Sequence, residues 1–169
     1  QPSELLISHY SIQTPATDVF RRSPARKALI YHNITPAEFF RGFDEGVARQ
    51  LTAARSELAA VAAAADAVWA DSAFNAAEIG ALGVKNVQVL PLLFSARAFD
   101  VPADPVVLQG LSGPSQKILF VGRMAPNKCV EELIEAFAWY HKCLERRSEL
   151  SLVGSERTCP RYFAMLRMF

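Results

Sequence analysis

The chain has 169 residues, which is enough for one compact domain or for two incomplete ones. Its 51% hydrophobic and 21% charged residues are typical of a soluble globular protein, and its 18 basic and 17 acidic side chains nearly cancel. This balance argues against nucleic acid and against an anionic membrane surface as partners.

Three cysteines lie far apart in the sequence, at Cys129, Cys143 and Cys159. None has the close spacing of zinc ligands, and an odd number favours reduced thiols in the cytoplasm. The most apolar run, 58–70, is rich in alanine and contains Asp66, so it is not predicted to span a bilayer. The sequence therefore predicts a cytoplasmic protein without a zinc site.

Short apolar runs recur along the chain, each followed by a helical pattern. They predict strands at 5–7, 28–31, 67–70, 87–90, 118–121 and 150–153. Most of these runs are apolar at consecutive positions, which is typical of strands covered on both faces. The alternation of strands and helices predicts a parallel α/β architecture.

The helices between these strands have clear patterns. Apolar residues in 46–65 recur at the spacing of one helical face, and a second long helix is predicted over 130–146. The segment beginning Thr35-Pro36 is typical of a capping box, with Thr35 as N-cap, Pro36 at the first helical position and Glu38 at the third.

The segment 95–116 contains several prolines and glycines and has no sustained period, which is typical of an interdomain linker. Four predicted strands precede it and two follow it. The sequence therefore predicts part of one Rossmann-like domain over 1–94 and the beginning of a second over 117–169. Both domains are expected to be incomplete, with the chain truncated at both ends.

The most informative segment follows the strand at 118–121. Gly122 and Arg123 end the strand, and Lys128 is predicted in the first turn of the next helix with Asn127 as N-cap. A cation in that turn is unfavourable by roughly 0.3–1 kcal/mol, and a bound anion would reverse this cost. The pattern fits a phosphate site and two solvated surface cations equally well, and spacing alone does not choose between these interpretations. Neither a dinucleotide fingerprint nor a phosphate loop is present, which disfavours an NAD enzyme and a P-loop nucleotidase.

Several motifs together resemble the family-4 retaining glycosyltransferases, which have the GT-B fold. The donor-side motifs are 120–123, 126–128, 133–137 and 152–155. On the acceptor side, 31–36 (Tyr-His-Asn-Ile-Thr-Pro) is similar to a motif of bacterial members that build cell-surface polysaccharides, and 72–75 followed by Glu78 resembles another family segment. The motifs occur in the family's order over nearly the whole chain.

The resemblance implies two Rossmann-like domains that face each other, a nucleotide-diphosphate sugar as donor, and retention of configuration without a bound metal. It implies that Arg123 and Lys128, with Gly122, bind the donor diphosphate. It also implies that His32 is the catalytic-site residue that hydrogen-bonds and positions the donor sugar. A glycan or lipid-linked glycan is the implied acceptor, with peripheral membrane association of the parent enzyme and no nucleic acid.

The chain departs from the family at three places. Cys129 stands where many members have glycine, and the family's glycine-rich loop near the N-terminus of the first domain is absent. The family's donor-site glutamate pair is also missing and is expected to lie beyond Phe169. We therefore expect the isolated chain to be inactive. A sugar-nucleotide epimerase of the same architecture and an inactive nucleotide-binding fragment remain alternatives. A purely structural role remains the alternative for His32 and is the preferred interpretation for His9.

Overall fold

Residues 4–169 are described by the computed structural model, and they divide into two units. The first unit contains residues up to Arg41 together with Glu45–Phe94, and the second contains Gly42–Asp44 together with Ser95–Phe169. Both units combine helices with a parallel sheet, which confirms the predicted Rossmann-like α/β class. Residues 1–3 of the predicted first domain lie outside the described residues.

The first unit has one parallel sheet whose strands follow the order of the chain. Its strands are β1 (Leu5–Tyr10), β2 (Arg26–Tyr31), β3 (Ala67–Ala70) and β4 (Gln88–Val89), in the order β1-β2-β3-β4. A parallel pair requires a crossover connection, which a helix usually supplies. Here the connections contain α1 (Pro15–Arg22), α2 (Glu45–Ala63) and α3 (Ala73–Ala81), with a 3-10 helix at Ala37–Phe40 before α2.

The second unit has a two-stranded parallel sheet of β5 (Gln116–Val121) and β6 (Ser148–Val153). Its helices are α4 (Pro105–Leu111), α5 (Val130–Cys143) and α6 (Pro160–Leu166), with 3-10 helices at Ala96–Phe99 and Pro126–Lys128. The six strands lie where the apolar runs predict them. The segment predicted as a linker, 95–116, contains α4 and one of the 3-10 helices, and nearly all of its side chains are exposed.

Helix α2 supplies much of the core of the first unit. Leu51, Ala54, Leu58 and Val61 recur at intervals of three or four residues on one face and are buried. Burying a leucine side chain contributes about 1.5–3 kcal/mol, which explains why this alanine-rich segment packs as a helix. The buried hydroxyl of Tyr10 lies 3.2 Å from the carbonyl oxygen of Ala54 and so links β1 to α2.

The predicted capping box at Thr35 is wrong. The helix there begins at Ala37, is a 3-10 helix of one turn, and has Pro36 at its N-cap without a side-chain cap. Ile34 is buried and its carbonyl oxygen accepts a hydrogen bond from Arg55, so the chain is anchored just before Pro36. Pro36 is extended, with ψ 128°, which prevents a helix from starting at Thr35.

The prediction that the strands are covered on both faces is also wrong for parts of both sheets. Leu5 and Ile7 of β1 and Leu119 and Val121 of β5 are exposed at alternate positions. β1 lies at the edge of its sheet, and β5 pairs only with β6 among the described residues. One face of each strand is therefore packed while the other is open.

Candidate functional site

The carboxyl ends of β1, β2 and β3 meet at one edge of the first sheet. Tyr10, Tyr31 and Ala70 are aligned across these strands. The pairing continues beyond the strand ends, because His32 N–H donates to the Tyr10 carbonyl at 3.0 Å and Asp71 N–H donates to the Tyr31 carbonyl at 3.2 Å. The residues that follow β2 and β3 are thereby held side by side, at the edge where open α/β sheets bind ligands.

Three side chains at this edge form a hydrogen-bonded row. His32 Nδ1 lies 3.2 Å from Asp71 Oδ2, and His32 Nε2 lies 2.7 Å from His9 Nδ1. The two imidazole rings are nearly parallel, with an interplanar angle of 6° and centroids 5.0 Å apart, as expected for rings joined edge to edge by this contact. His32 and Asp71 retain 22% and 16% side-chain exposure, whereas His9 is exposed.

Two asparagines extend this row towards α3. Asn75 Nδ2 donates to Asp71 Oδ1, and Asn33 Nδ2 donates to Asn75 Oδ1 at 3.1 Å. Asn75 is buried, and its backbone N–H donates to Ser72 Oγ at 3.2 Å, so Ser72 is the N-cap of α3. We call these five side chains the His9 network: His9, His32, Asp71, Asn75 and Asn33.

A second cluster fixes the loop that carries His32. The buried hydroxyl of Tyr31 donates to Glu78, which also accepts from Arg55, and Arg55 donates in turn to the carbonyl oxygen of Ile34. Burial raises the pKa of Tyr31 above its ordinary value, so the phenol stays protonated as a donor. Asn33 has a positive φ of 71°, which turns the chain between His32 and Ile34.

The sequence predicts His32 at this edge but not its partners. His9, for which a structural role was preferred, is the direct partner of His32. Asp71 and Arg55 were missed. Asp71 could have been noticed because it directly follows the predicted strand at 67–70. Arg55 lies within a helix, and no sequence motif marks it as a partner of the strand ends.

In the second unit, Arg123 and Lys128 follow the carboxyl end of β5. Gly122 N–H donates to the Val153 carbonyl at 2.9 Å and so extends the strand pairing by one residue. Residues 124–126 are then buried, whereas Arg123 and Lys128 are exposed on either side of them. Neither cation has an ion-pair partner within residues 4–169.

The predicted N-cap at Asn127 is wrong, although α5 does begin at Val130, where the helix predicted over 130–146 begins. Asn127 is not an N-cap and Lys128 is not in the first turn of α5, because both belong to the 3-10 helix Pro126–Lys128. Cys129 has left-handed backbone angles, φ 47° and ψ 48°, and separates this helix from α5. The N–H of Val130, the first residue of α5, donates to the hydroxyl of Tyr162 at 2.7 Å.

A close backbone approach occurs at Gly154 rather than at Gly122. A Cβ atom on Gly154 would lie 2.0 Å from the carbonyl oxygen of Gly122, whereas a Cβ on Gly122 would meet the ring of Phe120 at 2.8 Å. The ring of Phe120 can rotate away, but the backbone carbonyl cannot. Glycine is therefore required at position 154 by the approach of the two strand ends.

We expect Gly154→Ala to lower the free energy of unfolding by about 1–3 kcal/mol, the range for overpacking at a rigid site. Gly122→Ala is the matched control and should cost less than half as much. Chemical denaturation followed by the fluorescence of Trp139, in a Trp69→Phe background, measures both. Equal costs for the two variants would contradict the close approach.

A cavity of about 420 Å³ lies beside these strand ends in the second unit. Its apolar wall includes Met124, Leu152 and Phe163, and its polar wall includes Ser155 and Arg157. Ligand sites commonly have volumes of about 300–1,000 Å³ and combine apolar walls with a few polar groups. The cavity is therefore large enough for a nucleoside.

Within the described range 4–169, no helix is both long and apolar enough to cross a membrane. No group of three or more His, Cys, Asp or Glu side chains in that range is arranged to hold a metal ion. Comparison of the chain with models of known protein families gave no match, and comparison with curated proteins gave no significant similarity. A proposal of function therefore rests on the geometry of the two strand-end sites and on the motif resemblance.

Proposed function

We propose that the chain belongs to a retaining glycosyltransferase of the GT-B fold that uses a nucleotide-diphosphate sugar as donor. The observation that carries the proposal is the pair of exposed cations, Arg123 and Lys128, at the carboxyl end of β5. Neither is neutralised by an acidic side chain within the described residues. Two unneutralised cations at a strand end are suited to an anionic ligand.

The chemistry of glycosyl transfer explains why two fixed cations are useful there. The nucleoside diphosphate departs with growing negative charge, and preorganised cations stabilise that charge in the transition state. Arg123 offers a planar fork that can bind two phosphate oxygens, whereas Lys128 offers a compact charge. Gly122, between β5 and Arg123, leaves the backbone without a side chain at this point.

The adjacent cavity supports a nucleoside as the rest of the leaving group. Met124, which directly follows Arg123 in the chain, lines the cavity. A diphosphate bound to Arg123 would therefore have its nucleoside close to the cavity. The apolar wall suits a base, and Ser155 and Arg157 supply hydrogen-bond donors. No metal is assigned to the leaving group in this proposal.

The first unit contributes His32 and its network. The proposed role of this edge is to hydrogen-bond the donor sugar and not to act as a nucleophile. The proposed acceptor is a glycan or a lipid-linked glycan, and the proposed location of the enzyme is the cytoplasm, with peripheral association with a membrane.

Binding and turnover with a panel of nucleotide-diphosphate sugars test the proposal. Calorimetry with UDP-, GDP-, ADP- and dTDP-sugars is compared with the matching nucleoside monophosphates and free sugars. We expect saturable binding that needs the diphosphate. Turnover is assayed for the 169-residue chain, for which we expect none, and for any longer protein that contains it.

The products distinguish the alternatives. Release of nucleoside diphosphate with a sugar joined to an acceptor in the donor's configuration supports the proposal. An epimerised nucleotide sugar without release of nucleoside diphosphate would instead indicate the isomerase. Absence of diphosphate-dependent binding for every donor would overturn the assignment of Arg123 and Lys128.

A further inference from the structure

Both ring nitrogens of His32 are already used within the protein. Its Nδ1 is 3.2 Å from Asp71 Oδ2 and its Nε2 is 2.7 Å from His9 Nδ1. In His9 only Nδ1 is hydrogen-bonded, and no described residue is a partner for its Nε2. His9 is also the more exposed of the two. The ring nitrogen left for a ligand therefore belongs to His9.

The positions of the protons follow from the order of the row. An ionised carboxylate only accepts hydrogen bonds, so His32 Nδ1 carries the proton that faces Asp71. In a His32 ring with its single proton on Nδ1, Nε2 has the lone pair and can accept from His9 Nδ1–H. In that arrangement His9 Nε2 bears the lone pair and is left as an acceptor on an exposed side chain.

We propose that His9 is the residue that accepts a hydrogen bond from a sugar hydroxyl, and that His32 and Asp71 are positioning residues that set its tautomer. The identity of the ligand as a sugar rests on the proposed function. The direction of the hydrogen bonds rests on the His9 network alone. The two parts can therefore fail separately.

Asn75 makes the proposal testable by a single substitution, Asp71→Asn. Its Nδ2 donates to Asp71 Oδ1, so the amide oxygen of the variant should stay on that side and the amide nitrogen should face His32. The amide would then donate to His32 Nδ1. Both hydrogen bonds of the His32 ring would reverse, and His9 Nε2 would carry a proton and become a donor.

The matched control is Asp66→Asn. Asp66 and Asp71 flank the same strand, β3, at its two ends, and Asp66 Oδ2 accepts from the backbone N–H of Lys27 at 2.7 Å. This change removes a carboxylate of the same kind at the amino end of the strand. It leaves the His9 network at the carboxyl end untouched.

Nitrogen-15 NMR of histidine rings reads the tautomers directly, since the chain has only three histidines. Single His→Gln variants assign the signals, and His141, which contacts Ser148 in the second unit, is the internal reference. We expect the Nδ1–H tautomer for both His9 and His32 in the wild type and in Asp66→Asn. We expect the Nε2–H tautomer for both in Asp71→Asn, with His141 unchanged.

Ligand contact is read from the same spectra. Each nucleotide-diphosphate sugar of the panel is compared with its nucleoside diphosphate, and the sugar-dependent shift should fall on His9 Nε2. In Asp71→Asn the sugar hydroxyl would have to accept from His9 Nε2–H instead of donating to it, so the sugar-dependent shift on His9 Nε2 should change. Donor affinity should fall by no more than about three- to tenfold, the range for one hydrogen bond.

The possible results separate the two parts of the proposal. An Nε2–H tautomer for His32 in the wild type, or no reversal in Asp71→Asn, would overturn the direction of the row. A sugar-dependent shift on His32 but not on His9 would show that His32, and not His9, contacts the sugar. The expected tautomers without a sugar-dependent shift from any donor would retain the positioning role and reject the sugar as ligand.

Discussion

Tyr162→Phe is expected to lower the free energy of unfolding of the second unit by about 1–3 kcal/mol, the cost of leaving a buried donor unpaired. The hydroxyl of Tyr162 accepts from the N–H of Val130, and both residues are fully buried. The same hydroxyl donates to the carboxylate of Glu131. Burial raises the pKa of Tyr162, and the hydrogen bond to Glu131 raises it further, so the phenol remains a donor.

Tyr162→Ala should cost more, about 3–5 kcal/mol, because it also removes a buried aromatic ring. The difference between the Phe and Ala variants separates the hydrogen bonds from the packing. Val130 begins α5 directly after the left-handed Cys129, so its N–H has no acceptor within the helix. A tyrosine 32 residues later supplies that acceptor.

Denaturation followed by Trp139 fluorescence in a Trp69→Phe background measures these costs for the second unit. Tyr140→Phe is the matched control, because Tyr140 lies on α5 and its hydroxyl has no hydrogen-bond partner within residues 4–169. We expect Tyr140→Phe to change stability by less than about 0.5 kcal/mol. Similar costs for Tyr162→Phe and Tyr140→Phe would show that the hydroxyl of Tyr162 does not stabilise the start of α5.

Arg123→Ala is expected to weaken binding of a nucleotide-diphosphate sugar about 10- to 100-fold, which corresponds to loss of a charge-assisted hydrogen bond to phosphate. Arg123→Lys should be almost as damaging, because lysine keeps the charge but loses the planar fork. Calorimetric dissociation constants for the donor that binds best in the panel measure both effects.

Arg147→Ala is the control for a general effect of removing positive charge. Arg147 is exposed and directly precedes β6, at the amino end of the strands, whereas Arg123 follows their carboxyl end. Donor affinity should therefore be unchanged in Arg147→Ala. Wild-type affinity in both Arg123 variants, or an equal loss in Arg147→Ala, would reject a specific diphosphate contact.

Local pattern by itself determined the class of the fold. Apolar runs separated by helical periods predict all six strands and the long helices α2 and α5, because burial of one face depends on spacing within each segment. The same pattern places His32, Arg123 and Lys128 after strands. Since parallel strands bring their carboxyl ends to one edge, the sequence predicts which side chains are available to a ligand.

Tertiary structure decided which of these side chains meet. His9 and His32 are 23 residues apart and Asp71 is 39 residues beyond His32, so their row exists only because β1, β2 and β3 are neighbours in register. Strand order and register depend on packing between distant segments, which local periodicity does not encode.

Helix starts were decided in the same way. The sequence predicts N-caps at Thr35 and at Asn127, both of which are good local capping residues. In the structure, Ile34 is buried and held by Arg55, and Val130 is capped by Tyr162 from α6. These long-range contacts outweigh a local N-cap of about 1 kcal/mol, because they combine burial with hydrogen bonding.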